Sequence, residues 1–153
     1  MSELVRGSPV PLFDRLSSVQ GADGGRQQLL TPEQLELSIG RELSRLMNTR
    51  SRLTPSEFAD STGTTLDYGI PDISALSPKS HPDLDLLQAT IRQAVMHYEP
   101  RLKDVTVKAF PAASGGVAAS LLIGGTVTVG LKLRQLNFEL QLDQRQGSRA
   151  KAA

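Results

Sequence analysis

The feature that most constrains this chain is a change of hydrophobic period at Pro100. Before it, apolar residues recur every three or four positions, as in helices, and after it they alternate with polar residues, as in strands. Proline lacks a backbone N–H and its ring clashes with the preceding turn, so the helix is predicted to end at Tyr98 or Glu99. We therefore expect helices before this corner and a sheet after it.

Two main helices are predicted before the corner. The first begins at Thr31-Pro32-Glu33-Gln34, which supplies a capping hydroxyl, a proline at the first helical position and a capping-box glutamine. The second begins at Ser80-His81-Pro82-Asp83 and runs to the corner. Between them, Thr54-Pro55-Ser56-Glu57 predicts a short helical turn. Residues 60–81 are expected to form a long loop, pinned to the core by apolar residues at 66, 68, 70 and 73.

The residues after the corner predict strands. Val105, Val107 and Ala109 alternate with polar neighbours, and the odd positions of 117–133 are apolar except at Gly125. This long run fits either one very long strand or two strands broken near 124–125. At 134–136 the apolar positions change from odd to even, which requires a turn or a bulge. The pattern predicts an antiparallel meander of three or four strands, the last of them a candidate edge strand.

These elements predict an α+β fold in which two main helices pack on a small antiparallel β-sheet, with an N-terminal helical arm. The arm and its linker are assigned to residues 1–30, the folded domain to 31–143, and a disordered tail to 144–153. In the arm, Leu12, Phe13 and Leu16 lie at helical spacing ahead of a linker that contains glycine and serine. The segment is either a flap on its own core or an arm that docks on a partner.

The composition argues against several classes of function. The 153 residues include no cysteine, so disulfides and thiolate chemistry are excluded and a cytoplasmic location is expected. A net charge of +1 argues against nucleic-acid binding. No apolar run reaches the roughly 18 residues of a membrane helix, so no membrane insertion is expected. The two histidines, His81 and His97, lie at opposite ends of one helix, and neither a metal nor a cofactor is expected.

The residues also argue against an enzyme. A glycosidase needs two carboxylates across a cleft and aromatic surfaces for the sugar, but the chain has no tryptophan and two tyrosines. The two histidines belong to no recognisable nucleophile motif. The glycine pairs at 115–116 and 124–125 precede neither a helix nor a Lys-Ser/Thr pair, so they do not predict a phosphate loop. We expect a protein without catalytic residues.

Two places are candidate protein-interface sites. Glu99 and Arg101 flank Pro100, either as a solvated charge pair beside a helix end or as a presented recognition element. On the predicted edge strand, Asn137 and Glu139 belong to the polar face, and the strand's unpaired backbone could accept another chain. Such edges are also commonly just shielded by charges, so both interpretations stay open here.

Four stretches, in this order along the chain, resemble one family of proteins. The family is that of the phage baseplate-wedge and sheath-initiator proteins, some of which carry the name "lysozyme-like". Its N-terminal segment here is similar to that of the TssE subunits of type VI secretion baseplates, a segment that phage relatives tend to lack. The stretches are Pro11–Leu16, Ser38–Leu43 together with Leu46–Arg50, Leu66–Asp72 and Tyr98–Leu102.

The resemblance implies a structural baseplate component that joins the baseplate wedge to the contractile sheath and initiates sheath polymerisation. Glu99, Pro100 and Arg101 match the family's signature tripeptide, which is implied to contact the core of the wedge. The implied partners are the wedge subunits TssF, TssG and TssK and the sheath subunits TssB and TssC, with the spike or hub as a further candidate. The alternatives are a wedge protein of a contractile phage tail or a lysozyme-like glycosidase.

Overall fold

A computed structural model of the chain describes residues 31–77, 79–111, 117–143 and 149–151. Within these residues the fold is α+β, as predicted, with helices before Pro100 and an antiparallel sheet after it. The arm residues Leu12, Phe13 and Leu16 lie outside the described residues. The helices are α1 (Pro32–Met47), α2 (Pro55–Asp60) and α3 (His81–Tyr98), and the strands are β1 (Lys103–Pro111), β2 (Val117–Val129), β3 (Lys132–Asp143) and β4 (Arg149–Lys151).

Each helix begins at the capping residue that the sequence predicts. The Thr31 hydroxyl accepts a hydrogen bond from the Gln34 backbone N–H, and the Gln34 side chain accepts one from the Thr31 N–H. Thr54 and Glu57 form the same reciprocal pair at α2. At α3, the Ser80 hydroxyl alone caps the helix. These side chains satisfy backbone donors that have no partner inside a helix, which explains why the helix starts can be predicted locally.

The four strands follow one another in the order β1-β2-β3-β4, each antiparallel to its neighbour. One face of this sheet packs on α1 and α3. Phe138 of β3 lies directly under Gly40 of α1 and is buried, as are Leu121 and Ile123 of β2. The helices therefore cover the apolar face, and the polar residues of the strands form the opposite face.

The change of phase at 134–136 is produced by a two-residue hairpin turn at Gly130 and Leu131. Gly130 has φ +64°, at the first central position, as a type II′ turn requires. Of the two alternatives for this run, a break near Gly124 and Gly125 is wrong, because both glycines lie within β2, which continues to Val129. A Cβ on Gly125 would stand 2.6 Å from Cγ of Leu102, the residue just before β1. The chain that enters β1 therefore leaves no room for a side chain at position 125.

Two further expectations need correction. The expected disordered tail, 144–153, is described only at Arg149–Lys151, and these three residues form β4 against β3. The long loop is pinned to the core, as predicted, through Ile70, which is buried and bridges to Arg50. Leu66 does not contribute to this anchoring, because it lies on a 3-10 turn with its side chain 77% exposed.

Candidate functional site

The corner after α3 is a buried ion pair. Glu99 terminates α3, with its backbone N–H bonded to the Val95 carbonyl, and is only 3% exposed. The Arg101 guanidinium donates to both carboxylate oxygens of Glu99, from Nε to Oε1 at 2.7 Å and from Nη2 to Oε2 at 2.6 Å. The remaining nitrogen, Nη1, donates to the Ser38 hydroxyl on α1 at 3.1 Å. The pair therefore connects the end of α3 to the middle of α1.

This geometry corrects both interpretations of the corner. Glu99 and Arg101 are neither a solvated pair nor charges presented to a partner, because each satisfies the other inside the chain. Pro100 remains exposed between them. A bidentate arginine–carboxylate pair is geometrically specific, so it fixes the orientation in which Pro100 is displayed. Sequence reasoning missed Ser38, whose contact with Arg101 spans 63 positions.

The loop beside the corner is held by a small polar network around Asp67. Its carboxylate accepts from the Thr64 hydroxyl and from Nε of Arg52 at 2.9 Å, and these two contacts lower the pKa of Asp67. Tyr98 of α3 donates its hydroxyl to the Thr64 carbonyl at 3.1 Å, and burial and then the Asp67 charge raise the pKa of Tyr98. The loop is therefore fixed to the end of α3 rather than free in solvent.

The outer edge of β3 is defined by the hairpin turn. A two-residue turn makes Val129 and Lys132 a hydrogen-bonded pair, and such pairs alternate with non-bonded pairs along an antiparallel ladder. Even-numbered residues of β3 therefore direct their N–H and C=O groups to β2, and odd-numbered residues direct theirs away from it. Asn137 and Glu139 are both odd, so both face the outer edge.

The two predicted edge residues have different surroundings at that edge. Glu139 pairs with Lys151 of β4, whereas Asn137 has no partner strand among the described residues. The same is true of Leu133 and Gln135, so three outward-facing backbone positions have no partner strand within the described part of the chain. The side chain of Asn137 lies across the polar face of the sheet, with Oδ1 2.9 Å from where a Cβ of Gly124 would be.

The other edge of the sheet, along β1, is guarded. Nε of Arg92 on α3 donates to the Val105 carbonyl at 3.0 Å, which occupies one outward-facing acceptor. Pro111 stands at an outward-facing position and has no N–H to offer. Charged side chains and prolines are common means of blocking an edge strand. Among the described residues, β3 keeps three outward-facing residues with both backbone groups unblocked and β1 keeps two, Val107 and Ala109. This contrast depends on Arg92 and cannot be read from the strand pattern.

Other kinds of site find no support in the described part of the chain. No group of three His, Asp or Glu residues there is arranged to hold a metal ion. No helix among those residues is both long enough and apolar enough to cross a membrane.

Comparisons with known proteins give two matches. A family model described as "Baseplate wedge protein gp25" matches residues 33–140, from the start of α1 to β3, and so includes both the corner and the edge. A chain of a solved structure, "The baseplate complex from the type VI secretion system", is 25% identical with a TM-score of 0.51, and the similarity covers 72% of this chain and 96% of that one. No curated protein matches this sequence. The chain belongs to the baseplate wedge protein gp25 family, which includes TssE.

Proposed function

We propose that this chain is a TssE-type subunit of a type VI secretion baseplate, which joins the baseplate wedge to the contractile sheath and initiates sheath polymerisation. The observation that carries the proposal is the outer edge of β3 at Leu133, Gln135 and Asn137, which has no partner strand among the described residues. The other edge of the sheet is guarded by Arg92 and Pro111. The family and the similar baseplate structure support the baseplate part of the proposal.

An extended segment of a sheath subunit fits the β3 edge by strand addition. Three outward-facing residues offer up to about six main-chain hydrogen bonds to an antiparallel strand. Each such bond contributes roughly 0.5–1.5 kcal/mol net. This edge therefore offers enough main-chain bonds to position a segment of the first sheath subunit.

The wedge contacts are assigned to the corner and the arm. The Glu99–Arg101 pair holds Pro100 in a fixed exposed position, and we propose that Pro100 contacts the wedge subunits TssF, TssG or TssK. We propose that Leu12, Phe13 and Leu16 supply a second contact with the wedge, and that TssB or TssC supplies the docking strand. These assignments place the protein on the cytoplasmic side, where sheath subunits polymerise.

The proposed role is structural and not enzymatic. Of the carboxylates that could serve a glycosidase, Glu99 is committed to Arg101, and Asp67 to Thr64 and Arg52. Asp72 is largely exposed and lies 3.5 Å from Arg50. A general acid needs a carboxyl that is free to donate a proton to the substrate, and neither Glu99 nor Asp67 has that freedom. The Ser74 backbone N–H lowers the pKa of Asp72, which is the wrong direction for a general acid.

The test compares prolines on the two edges of the sheet in cells that assemble the secretion apparatus. Asn137→Pro removes one N–H from the open β3 edge, and Ala109→Pro removes one from the guarded β1 edge. Both N–H groups face away from β2, so both variants should fold. Fluorescently labelled sheath protein should form few sheaths with Asn137→Pro and normal numbers with Ala109→Pro.

Asn137→Ala controls for loss of the side chain and should support normal sheaths. Normal sheath numbers with Asn137→Pro, in a protein that still joins the baseplate, would contradict the template role. If both prolines reduce sheath numbers to the same extent, the cause is damage to the sheet and not the loss of one edge. That result would also contradict the template role of β3.

A further inference from the structure

The short strand β4 covers part of the same edge that the proposed function assigns to the sheath. It pairs with Glu139, Leu140 and Gln141 on the outer side of β3. Glu139 and Gln141 are odd-numbered and face outward, so β4 fills two of the five outward-facing positions between Leu133 and Gln141. The remaining three have no partner strand among the described residues.

An incoming antiparallel strand that uses the whole edge would have to occupy the place of β4. A strand confined to Leu133–Asn137 would gain fewer main-chain bonds and would abut the end of β4. Because both are antiparallel to β3, the two strands have the same direction and compete for the same backbone groups.

β4 makes fewer backbone pairs with β3 than β2 does, and it also lies against α1. It has three residues and makes two hydrogen-bonded residue pairs, at Glu139–Lys151 and Gln141–Arg149, whereas β2 pairs with β3 from Val129 to Val117. Short peripheral strands with few bonds open at much lower free energy than core strands. A cover of this kind can leave the edge without unfolding the sheet.

We infer that β4 is a self-supplied cover of the docking edge, displaced when an extended strand of the sheath binds. The inference rests on the proposed function of the β3 edge. It adds that β4 lowers the affinity of this edge for other strands until a sheath strand displaces β4. A cover that is in place nine-tenths of the time lowers the apparent affinity for a competing strand about tenfold. An uncovered edge would also be open to nonspecific strand pairing, which the cover suppresses.

Two substitutions in the full chain separate the cover from its side chains. Lys151→Pro removes an N–H that faces β3, whereas Ala150→Pro removes one that faces away, so only the first should loosen β4. Lys151→Ala controls for loss of the lysine side chain. The probe is a labelled synthetic peptide of residues 144–153, which offers the β4 sequence in trans.

The peptide should bind the Lys151→Pro chain with about tenfold higher apparent affinity than the unsubstituted chain, because the edge is then open. Ala150→Pro and Lys151→Ala should bind it as the unsubstituted chain does. Equal binding to Lys151→Pro and Ala150→Pro would overturn the inference.

Amide hydrogen exchange provides the second measurement. The amides of Glu139 and Gln141 should exchange more slowly than those of Gln135 and Asn137 in the unsubstituted chain, and should lose this protection in Lys151→Pro. Equal rates at all four amides in the unsubstituted chain would show that β4 covers nothing. If these measurements fail while Asn137→Pro still blocks sheaths, the cover is refuted and the docking edge stands. If the cover is found and Asn137→Pro leaves sheaths intact, the docking function fails alone.

Discussion

Removing either member of the Glu99–Arg101 pair leaves the other charge buried without its partner. The Arg101→Ala variant should lose about 3–5 kcal/mol of unfolding free energy, as measured by urea denaturation, because the buried Glu99 carboxylate loses its counter-charge. Arg45→Ala breaks the more exposed Arg45–Glu42 pair on α1 and is the control, with an expected loss of about 0–1 kcal/mol. Equal small losses in both variants would contradict a stabilising role for the buried Glu99–Arg101 pair.

The pH dependence of stability should report Asp67. The Thr64 hydroxyl and Arg52 lower the pKa of Asp67 below the ordinary aspartate value of 3.8. The folded state therefore holds its ionised form more strongly than the unfolded state does. That stabilisation is complete above the unfolded pKa and is lost as pH falls through the folded one.

The Asp67→Asn variant should therefore be less stable at neutral pH and lose less stability on acidification than the unsubstituted chain. Urea midpoints measured at neutral pH and at several values below about pH 4 test this expectation. Parallel pH profiles for the two proteins would contradict a lowered pKa at Asp67. Asp60→Asn, at the exposed end of α2, serves as the matched control.

At the residue scale, the sequence predicts which residues end a helix better than it predicts whether their neighbours are buried. The Glu-Pro-Arg corner is recognisable because proline ends a helix by a local mechanism. Its burial depends on Ser38, which reaches Arg101 only after α1 has packed against the corner. Solvent exposure of a charged pair is set by such long-range packing, which no local pattern contains.

At the scale of elements, the two adjacent glycines of β2 are not equivalent. An added Cβ on Gly125 would meet Leu102 and, 2.8 Å away, the Lys103 backbone oxygen. On Gly124 it would meet only the ends of the Thr106 and Asn137 side chains, which can rotate away. A backbone contact can be relieved only by moving a strand, whereas a side chain can change rotamer.

The Gly125→Ala variant should therefore lose about 1–3 kcal/mol of unfolding free energy, the usual cost of forcing atoms into a packed interior. Gly124→Ala, one residue away in the same strand, should change it by less than about 1 kcal/mol. Thermal unfolding of the two purified variants makes the comparison. A larger loss in Gly124→Ala than in Gly125→Ala would refute the close approach of β1 to β2.

The helices were more predictable than the hairpin for a physical reason. Helix starts depend on capping side chains within four residues, and α1, α2 and α3 all begin at such a signal. The hairpin turn depends on one glycine, Gly130, at its first central position. The sequence also has Gly124 and Gly125 nearby, and a turn could equally be predicted there. The Gly-Leu pair at 130–131, placed where the apolar phase changes, is the signal that could have located the turn.

At the scale of the whole molecule, the α+β class follows from the sequence because the hydrophobic period changes once, at Pro100. Which edge of the sheet is available does not follow from it. That depends on Arg92 of α3 reaching the Val105 carbonyl and on β4 returning to β3, and both are tertiary contacts. The docking edge could thus be proposed from the strand pattern but not distinguished from the guarded one.

Site-specific crosslinking tests the docking edge most directly, since the chain has no cysteine of its own. A cysteine introduced as Gln135→Cys lies on the open edge strand, and one introduced as Lys108→Cys lies on the guarded edge strand. Each variant is labelled with a photoreactive maleimide, incorporated into baseplates together with sheath protein, and irradiated. We expect the label at position 135 to form an adduct with the sheath subunit and the label at 108 to form none. Baseplates that carry sheaths but give no sheath adduct from position 135, or an equal adduct from position 108, would contradict the assignment of β3 as the sheath template.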